Sequence, residues 1–377
     1  MLRFRRNDTE MTVKPQPYMV NLGPQHPSTH GVLRLRLVLD GETILDAEPV
    51  LGYLHSSKEK LFEGHTYLQC VPVTDRMDYL ASMTNNLAIS LAIEKLAGIE
   101  VPERATYIRV IMSELQRLAS HCFAQGTLLQ DLGAWGTPLM YFLKEREQIL
   151  DIFELVCGAR LTYNYIRPGG VSQDLPPEFF PAVERFLGEL PKRLDEYEDL
   201  LWENEILLAR SVGIGVLPRE LAVNSGVSGP LLRGSGVDWD LRKTDPYCLY
   251  ERFEFSVQVG ENGDIFDRFA VRFREMRESI KILHQAMEGL PPGRWKGEVP
   301  MVIRPPEGEA YAQVESPRGM LGFYLVSDGG AAPWRCHVRA PSFINLVPLR
   351  EMLIGHKVAD AVVIIGSTDI VMGEVDR

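Results

Sequence analysis

Paired cysteines are missing. The 377 residues include five, Cys70, Cys122, Cys157, Cys248 and Cys336, with no two at C-x-x-C spacing. That excludes the usual thiolate clamps for zinc or an iron–sulfur cluster within this chain. A dispersed, odd set suits a reducing compartment, with thiols buried as small apolar groups. Excess positive charge is missing too: 40 Lys and Arg stand against 51 Asp and Glu, a net charge of −11. Neutralising nucleic-acid phosphates takes clustered cations, so no nucleic-acid partner is expected.

Nor is there an apolar run of the roughly 18 residues that reads as a membrane-spanning helix. The best candidate, "VADAVVIIG" at 358–366, is of strand length, so no transmembrane helix is expected. The basic start "MLRFRRNDTE" is followed by no apolar h-region, so no secretory signal is read and the chain is expected on the cytoplasmic side. "GSGVDWD" and "GIGVLP" begin G-x-G without completing G-x-G-x-x-G. A phosphate-binding loop of the type G-x-x-x-x-G-K-[ST] and a G-x-S-x-G elbow are also absent, so no nucleotide is expected and the glycines serve turns.

What is present is an ordinary globular composition, 45% hydrophobic and 24% charged, with clear changes of period. Residues 32–55 read as a hairpin: Leu33, Leu35, Leu37 and Leu39 alternate with Arg34 and Arg36 before the Asp40-Gly41 turn. From about Asp75 the period becomes helical. One helix is predicted to stop at Gly98, and a second to run from Pro102 to Gly126. Further helices are predicted at 138–158, at 176–210 with a break at Pro191, and at 264–289. After about 295 the pattern returns to strands, then to short helices. The class is α+β with a central bundle. Three subdomains follow: 1–65, rich in β structure; 66–295, helical; and 296–377, α+β.

The stretch "GPQHPSTHG" sets His26 and His30 four residues apart in a proline-bearing turn at the mouth of a strand. The proline discourages the helix that an H-E-x-x-H metal site requires, and no third ligand lies nearby, so no metal is expected. The other proton-bearing candidates are Arg76, Asp78 and Tyr79 at the head of the first long helix, Asp131 just beyond the second, and Asp369 near the end. Spacing alone does not gather them. Taken singly, each also fits as a capping acid, a core tyrosine or a solvated arginine.

The blocks "GPQHPSTHGVLRLRL", "GYLHSSKEKLFEGHTYLQ", "DRMDYL", "NYIRPGGV", "SGVDWDLRKTDPY", "RFREMRESIKI", "VRAPSFINL" and "VMGEVDR" together closely resemble the D-subunit family of bacterial respiratory complex I, the proton-pumping NADH:quinone oxidoreductase. The resemblance runs from about residue 18 to the end. That family is itself similar to the large subunit of nickel–iron hydrogenases, which implies the hydrogenase-like fold. The hydrogenase metal is held by two C-x-x-C pairs, whose counterparts here, "RMDY" at 76–79 and "DIVMGEV" at 369–375, contain no cysteine. Hydrogenase chemistry is therefore excluded.

The resemblance implies that the vacated metal cavity binds a quinone headgroup, menaquinone or ubiquinone. His30 and Tyr79 would donate to the two carbonyl oxygens and Asp131 would stand behind the histidine. Two-electron, two-proton reduction loads negative charge onto those oxygens, so a donor that also passes a proton is needed at each. It further implies that Arg76 lies near a 4Fe–4S cluster held by the neighbouring iron–sulfur B subunit. His26, Thr127 and Asp369 would line or border the pocket, with Met77 beside Arg76 either bordering it or packing.

The implied partners are the B subunit, the C subunit and other peripheral-arm subunits, and the membrane H subunit. The implied location is peripheral, on the cytoplasmic side of the inner membrane. Three departures from the family stand out. Thr162 replaces a histidine of many ubiquinone-using relatives, which favours a low-potential quinone such as menaquinone. Ile370 stands where Pro is common, and Ser56-Ser57 replace the usual residues after His55. Two alternatives stay open: a ferredoxin- or deazaflavin-fed version of the same site, and a non-catalytic scaffold subunit of a hydrogenase-like complex.

Overall fold

The hairpin read from the leucine alternation is the middle of a three-stranded antiparallel sheet. The computed structural model describes residues 16–24, 31–133 and 137–377, so His26 and His30 lie outside the described residues. Strand β1 (Tyr18–Leu22) pairs with β2 (Arg34–Asp40), which pairs with β3 (Thr43–Val50). Leu35, Leu37 and Leu39 are buried, while Arg34 and Arg36 alternate outward. The return strand ends at Val50, short of the predicted 55. Beyond it the Gly52 and Leu54 N–H groups donate to the Asp376 carboxylate at 2.8 and 2.7 Å. That contact fastens the first sheet to the C-terminal residues.

Next come α1 (Lys58–Glu63), α2 (Tyr67–Thr74) and α3 (Ser82–Ala97). The sequence reading placed Arg76, Asp78 and Tyr79 on the head of a helix, whereas 75–81 form a turn between α2 and α3. Side chains hold that turn against continuation into helix. Asp78 Oδ1 accepts the Leu80 N–H at 3.1 Å, Ser82 Oγ donates to Asp75 O at 3.1 Å, and Asn85 Nδ2 donates to Asp78 O at 3.2 Å.

Helix α4 (Glu103–Asp131) does not stop at Gly126, and Asp131 is its last residue. Gly126 instead admits α5 (Thr137–Cys157): a Cβ there would stand 2.9 Å from Leu139 Cδ1 and 3.3 Å from Leu139 Cα. Gly126→Leu should therefore destabilise the chain by about 1–3 kcal/mol through overpacking. Thermal inactivation of the complex would show this as a lower midpoint, and an unchanged midpoint would remove the close approach as the reason for the glycine.

The two-residue strands β4 (Ile166–Arg167) and β5 (Gly170–Val171) pair with each other. Helix α6 (Phe179–Leu201) continues through Pro191, where a break was predicted, because its buried Leu187, Leu190 and Leu194 keep it docked. The break falls instead before α7 (Glu205–Ser211), whose Asn204 side chain accepts the Ile206 and Leu207 N–H groups. Short helices α8 (Arg219–Asn224), α9 (Pro230–Gly234) and α10 (Leu241–Thr244) fill the glycine-rich segment before α11 (Ile265–Glu288).

The last sheet is β6 (Gly308–Ser316), β7 (Gly319–Ser327) and β8 (Arg335–Arg339) in that order. Helices α12 (Pro341–Asn345), α13 (Leu349–Leu353), α14 (Val358–Thr368) and α15 (Met372–Val375) end the chain. The strand-length run at 358–366 is thus α14. The fold is a mixture of helix and sheet in which α4 packs against α5, α11 and α14, and α3 against β6 and β7. Among the described residues no helix is long and apolar enough to cross a membrane. Cys70, Cys122 and Cys336 are buried, Cys157 and Cys248 partly so, and burial pushes the Cys70 thiol up to about 12.

Candidate functional site

Three separate pieces of chain close one cavity of about 300 Å³. The 75–81 turn contributes Tyr79 and Leu80. The end of α4 contributes Phe123, Thr127, Gln130 and Asp131, spaced to share one helix face. The link between α14 and α15 contributes Asp369, Ile370 and Val371. Gly31, which follows His30 in sequence, also lines it. Asp369 sits at φ 54°, in the left-handed region that a short polar side chain tolerates better than most. That conformation turns the chain sharply out of α14.

An inner arginine holds these pieces together. Arg318, wholly buried in the β6–β7 turn, donates from Nη1 to Asp78 Oδ2 at 2.6 Å and Ser120 Oγ at 3.2 Å, and from Nη2 to Asp369 Oδ1 at 3.3 Å. Arg272, on α11, comes within 3.9 Å of Asp369 Oδ2. One guanidinium thus ties the Tyr79 turn, α4 and the C-terminal segment into a single wall. Burial, opposed by Arg318 and reinforced by Asp369, raises the Asp78 pKa.

Tyr79 is 38% exposed. Partial burial, and then the Asp78 charge, raise its pKa, with Arg318 opposing. At neutral pH it is a phenol with a proton to donate. Thr127 directs its hydroxyl hydrogen back along the helix, donating to Phe123 O at 3.0 Å or Ala124 O at 3.1 Å, and so presents lone pairs to other partners. Asp131 ends α4, where a carboxylate opposes the helix dipole, so stabilising that helix is not its use.

Of the residues singled out from sequence, Tyr79, Thr127, Asp131 and Asp369 line the cavity together. Arg76 does not line it. It is exposed, donates to Pro72 O at 2.5 Å, and borders a separate depression of about 350 Å³ with Ser56 and Lys58. Met77 is fully buried. Phe123, Gln130, Arg318 and Glu374 were not singled out. The helical spacing from Asp131 and Thr127 could have found Phe123 and Gln130; nothing local marks the other two.

A cavity that sets a phenol, a hydroxyl and two carboxyl groups against apolar walls is of the class that binds a small organic acceptor and protonates it. Among the described residues no group of side chains could hold a metal ion. Comparison with known proteins specifies the family. The model of the respiratory-chain NADH dehydrogenase 49 kDa subunit matches residues 131–305 and 298–377. A relative from Dehalococcoides mccartyi strain 195, named as the D subunit of an NADH-quinone oxidoreductase, is 58% identical over 97% of this chain and 100% of its own length. Relatives of the same name from Roseiflexus sp. RS-1 and Carboxydothermus hydrogenoformans are 55% and 51% identical, each over 97% of this chain and 100% of its own. The chain belongs to this family of the NADH dehydrogenase 49 kDa subunit.

Proposed function

We propose that the cavity is the quinone-reduction site of a membrane-associated NADH:quinone oxidoreductase complex and that this chain supplies its walls and proton donors. The observation that carries this reading is that Tyr79, Thr127, Asp131 and Asp369 converge on one cavity from distant parts of the chain. At about 300 Å³ it lies at the small end of ligand pockets, roughly 300–1,000 Å³. A quinone headgroup fits such a volume, while an isoprenoid tail has to leave through its mouth. Leu80, Phe123, Ile370 and Val371 offer apolar surface to the ring.

Reduction converts each carbonyl oxygen to a hydroxyl and takes two electrons and two protons. Tyr79 gives one proton as the charge develops on the oxygen facing it. His30 is the donor to the other, with Asp131 stabilising its charged form. His26 and Asp369 border the ring, and Thr127 accepts from the quinol hydroxyl that forms. Electrons come from a 4Fe–4S cluster in the B subunit, whose contact surface includes Arg76 with Met77 packed beneath. A fixed cation there favours the reduced cluster.

The quinone is of the ubiquinone or menaquinone kind. The same reading gives the chain the nickel–iron hydrogenase large-subunit fold, with subdomains 1–65, 66–295 and 296–377. It places the chain peripherally on the cytoplasmic side of the inner membrane, among the B, C and H subunits. A photoreactive quinone tests the site: in the intact complex it should label residues 79–80, 123–131 or 369–371, in competition with unmodified quinone. Labelling confined to other segments would contradict it.

A further inference from the structure

One carboxyl group beside the cavity has no place in the scheme above. Glu374, on α15, is wholly buried. Its Oε2 accepts the Ser342 N–H at 3.1 Å, and its Oε1 has no partner among the described residues. A buried carboxylate oxygen left without a donor costs free energy that a proton on it removes.

The charged groups facing Glu374 are few. The 75–81 turn presents Asp78, the β6–β7 turn presents Arg318, and β8 presents Arg339. Arg318 directs its Nη atoms to Asp78, Asp369 and Ser120. Arg339 directs its own to the carbonyls of Met320 and Gly226, at 2.6 and 2.9 Å. Neither donates to Glu374. Three carboxyl groups, Asp78, Asp369 and Glu374, therefore share Arg318, with Arg272 close only to Asp369.

This cluster reaches Tyr79 through the chain. Asp78 precedes it, and a Cβ on Gly373 would stand 2.7 Å from Met77 O and 3.6 Å from Tyr79 Cε1. The residues from Asp369 to Glu374 thus run from the cavity wall to the buried acid.

We propose that Glu374 and Asp78 hold one proton between them and return it to Tyr79 after the phenol has protonated the quinone. The step balances without electrons: the Tyr79 phenolate and the Glu374 carboxylic acid become the Tyr79 phenol and the Glu374 carboxylate, and solvent refills the pair. Burial first, and the Asp78 charge next, push Glu374 up to about 7, while burial raises Asp78 as well. The acid is thus half loaded near neutrality, where a store exchanges most readily in both directions. A group whose pKa is raised this way is loaded below that value and empty above it.

The inference rests on the quinone-site reading, so the test runs Glu374→Gln, Glu374→Asp and Tyr79→Phe side by side in the assembled complex. Quinone reduction by the unaltered complex should fall as pH rises through about 7. Glu374→Gln, whose amide cannot release a proton, should be about tenfold slower a pH unit below that value and should lose this limb. It should also lose an infrared carbonyl band of a protonated carboxylic acid. Glu374→Asp should keep the limb at a displaced midpoint, which serves should the glutamine variant fail to assemble. Glu374→Gln with unaltered turnover and limb, or Glu374→Asp with an unmoved midpoint, would overturn the proposal. If Tyr79→Phe is slow while Glu374→Gln is normal, only the proton store fails. If Tyr79→Phe is itself unaffected, the quinone-site reading fails.

Discussion

Tyr79→Phe lowers quinone reduction by the assembled complex by about a hundredfold or more, the usual contribution of a positioned general acid. The ring keeps its place, because the turn that carries it is fixed by Asp78, Ser82 and Asn85 and not by the phenol oxygen. The substitution removes one O–H from a side chain that is 38% exposed, so stability changes little. The loss falls on kcat, since the phenol acts where charge develops on the carbonyl oxygen and matters less to the neutral quinone. Steady-state kinetics with a short-chain quinone separate kcat from KM. A parallel assay with an artificial acceptor that takes electrons upstream should give the unaltered rate. A change of less than about twofold in kcat would remove Tyr79 from the chemistry.

Arg318→Met should cost about 3–5 kcal/mol, the range for removing one partner of a buried ion pair. Arg318 is wholly buried, and so are Asp78 and nearly all of Asp369, the two carboxylates it bonds. Without the guanidinium both lose their donor, and the turn bearing Tyr79 loses its tie to α4 and the C-terminal segment. The expected result is a complex that dissociates or inactivates at a markedly lower temperature and whose surviving fraction reduces quinone poorly. Adding Asp78→Asn and Asp369→Asn to Arg318→Met should recover part of the lost stability, because the orphaned charges are then gone. Equal stability of Arg318→Met and the unaltered complex would show that the clamp does not hold the site.

The parts of the fold legible in the sequence were those with an unbroken local period. Leu33 to Leu39 marked β2, and the apolar spacing marked α3, α4, α5 and α11. Punctuating residues misled where packing overrode their local preference. Gly126 looked like a helix end and is a crossing point for α5; Pro191 looked like a break and lies within a docked helix. The 75–81 turn was hidden because its helix-like composition is overruled by side chains bonding the backbone.

For the site, Tyr79, Thr127, Asp131 and Asp369 entered through the resemblance of their motifs, since no periodicity joins them. Arg318 was beyond local reading: its partner Asp78 is 240 residues away. Glu374 lies within the motif "VMGEVDR", but its burial and its unpartnered oxygen exist only once α12 and the 75–81 turn close over it.

The most direct measurement is the position of a bound quinone or quinone-site inhibitor in a structure of the intact complex. The ring should occupy the cavity between Tyr79, Thr127 and Asp369, with a carbonyl oxygen about 2.6–3.2 Å from the Tyr79 hydroxyl. A ring bound elsewhere, with this cavity filled only by solvent, would contradict the assignment.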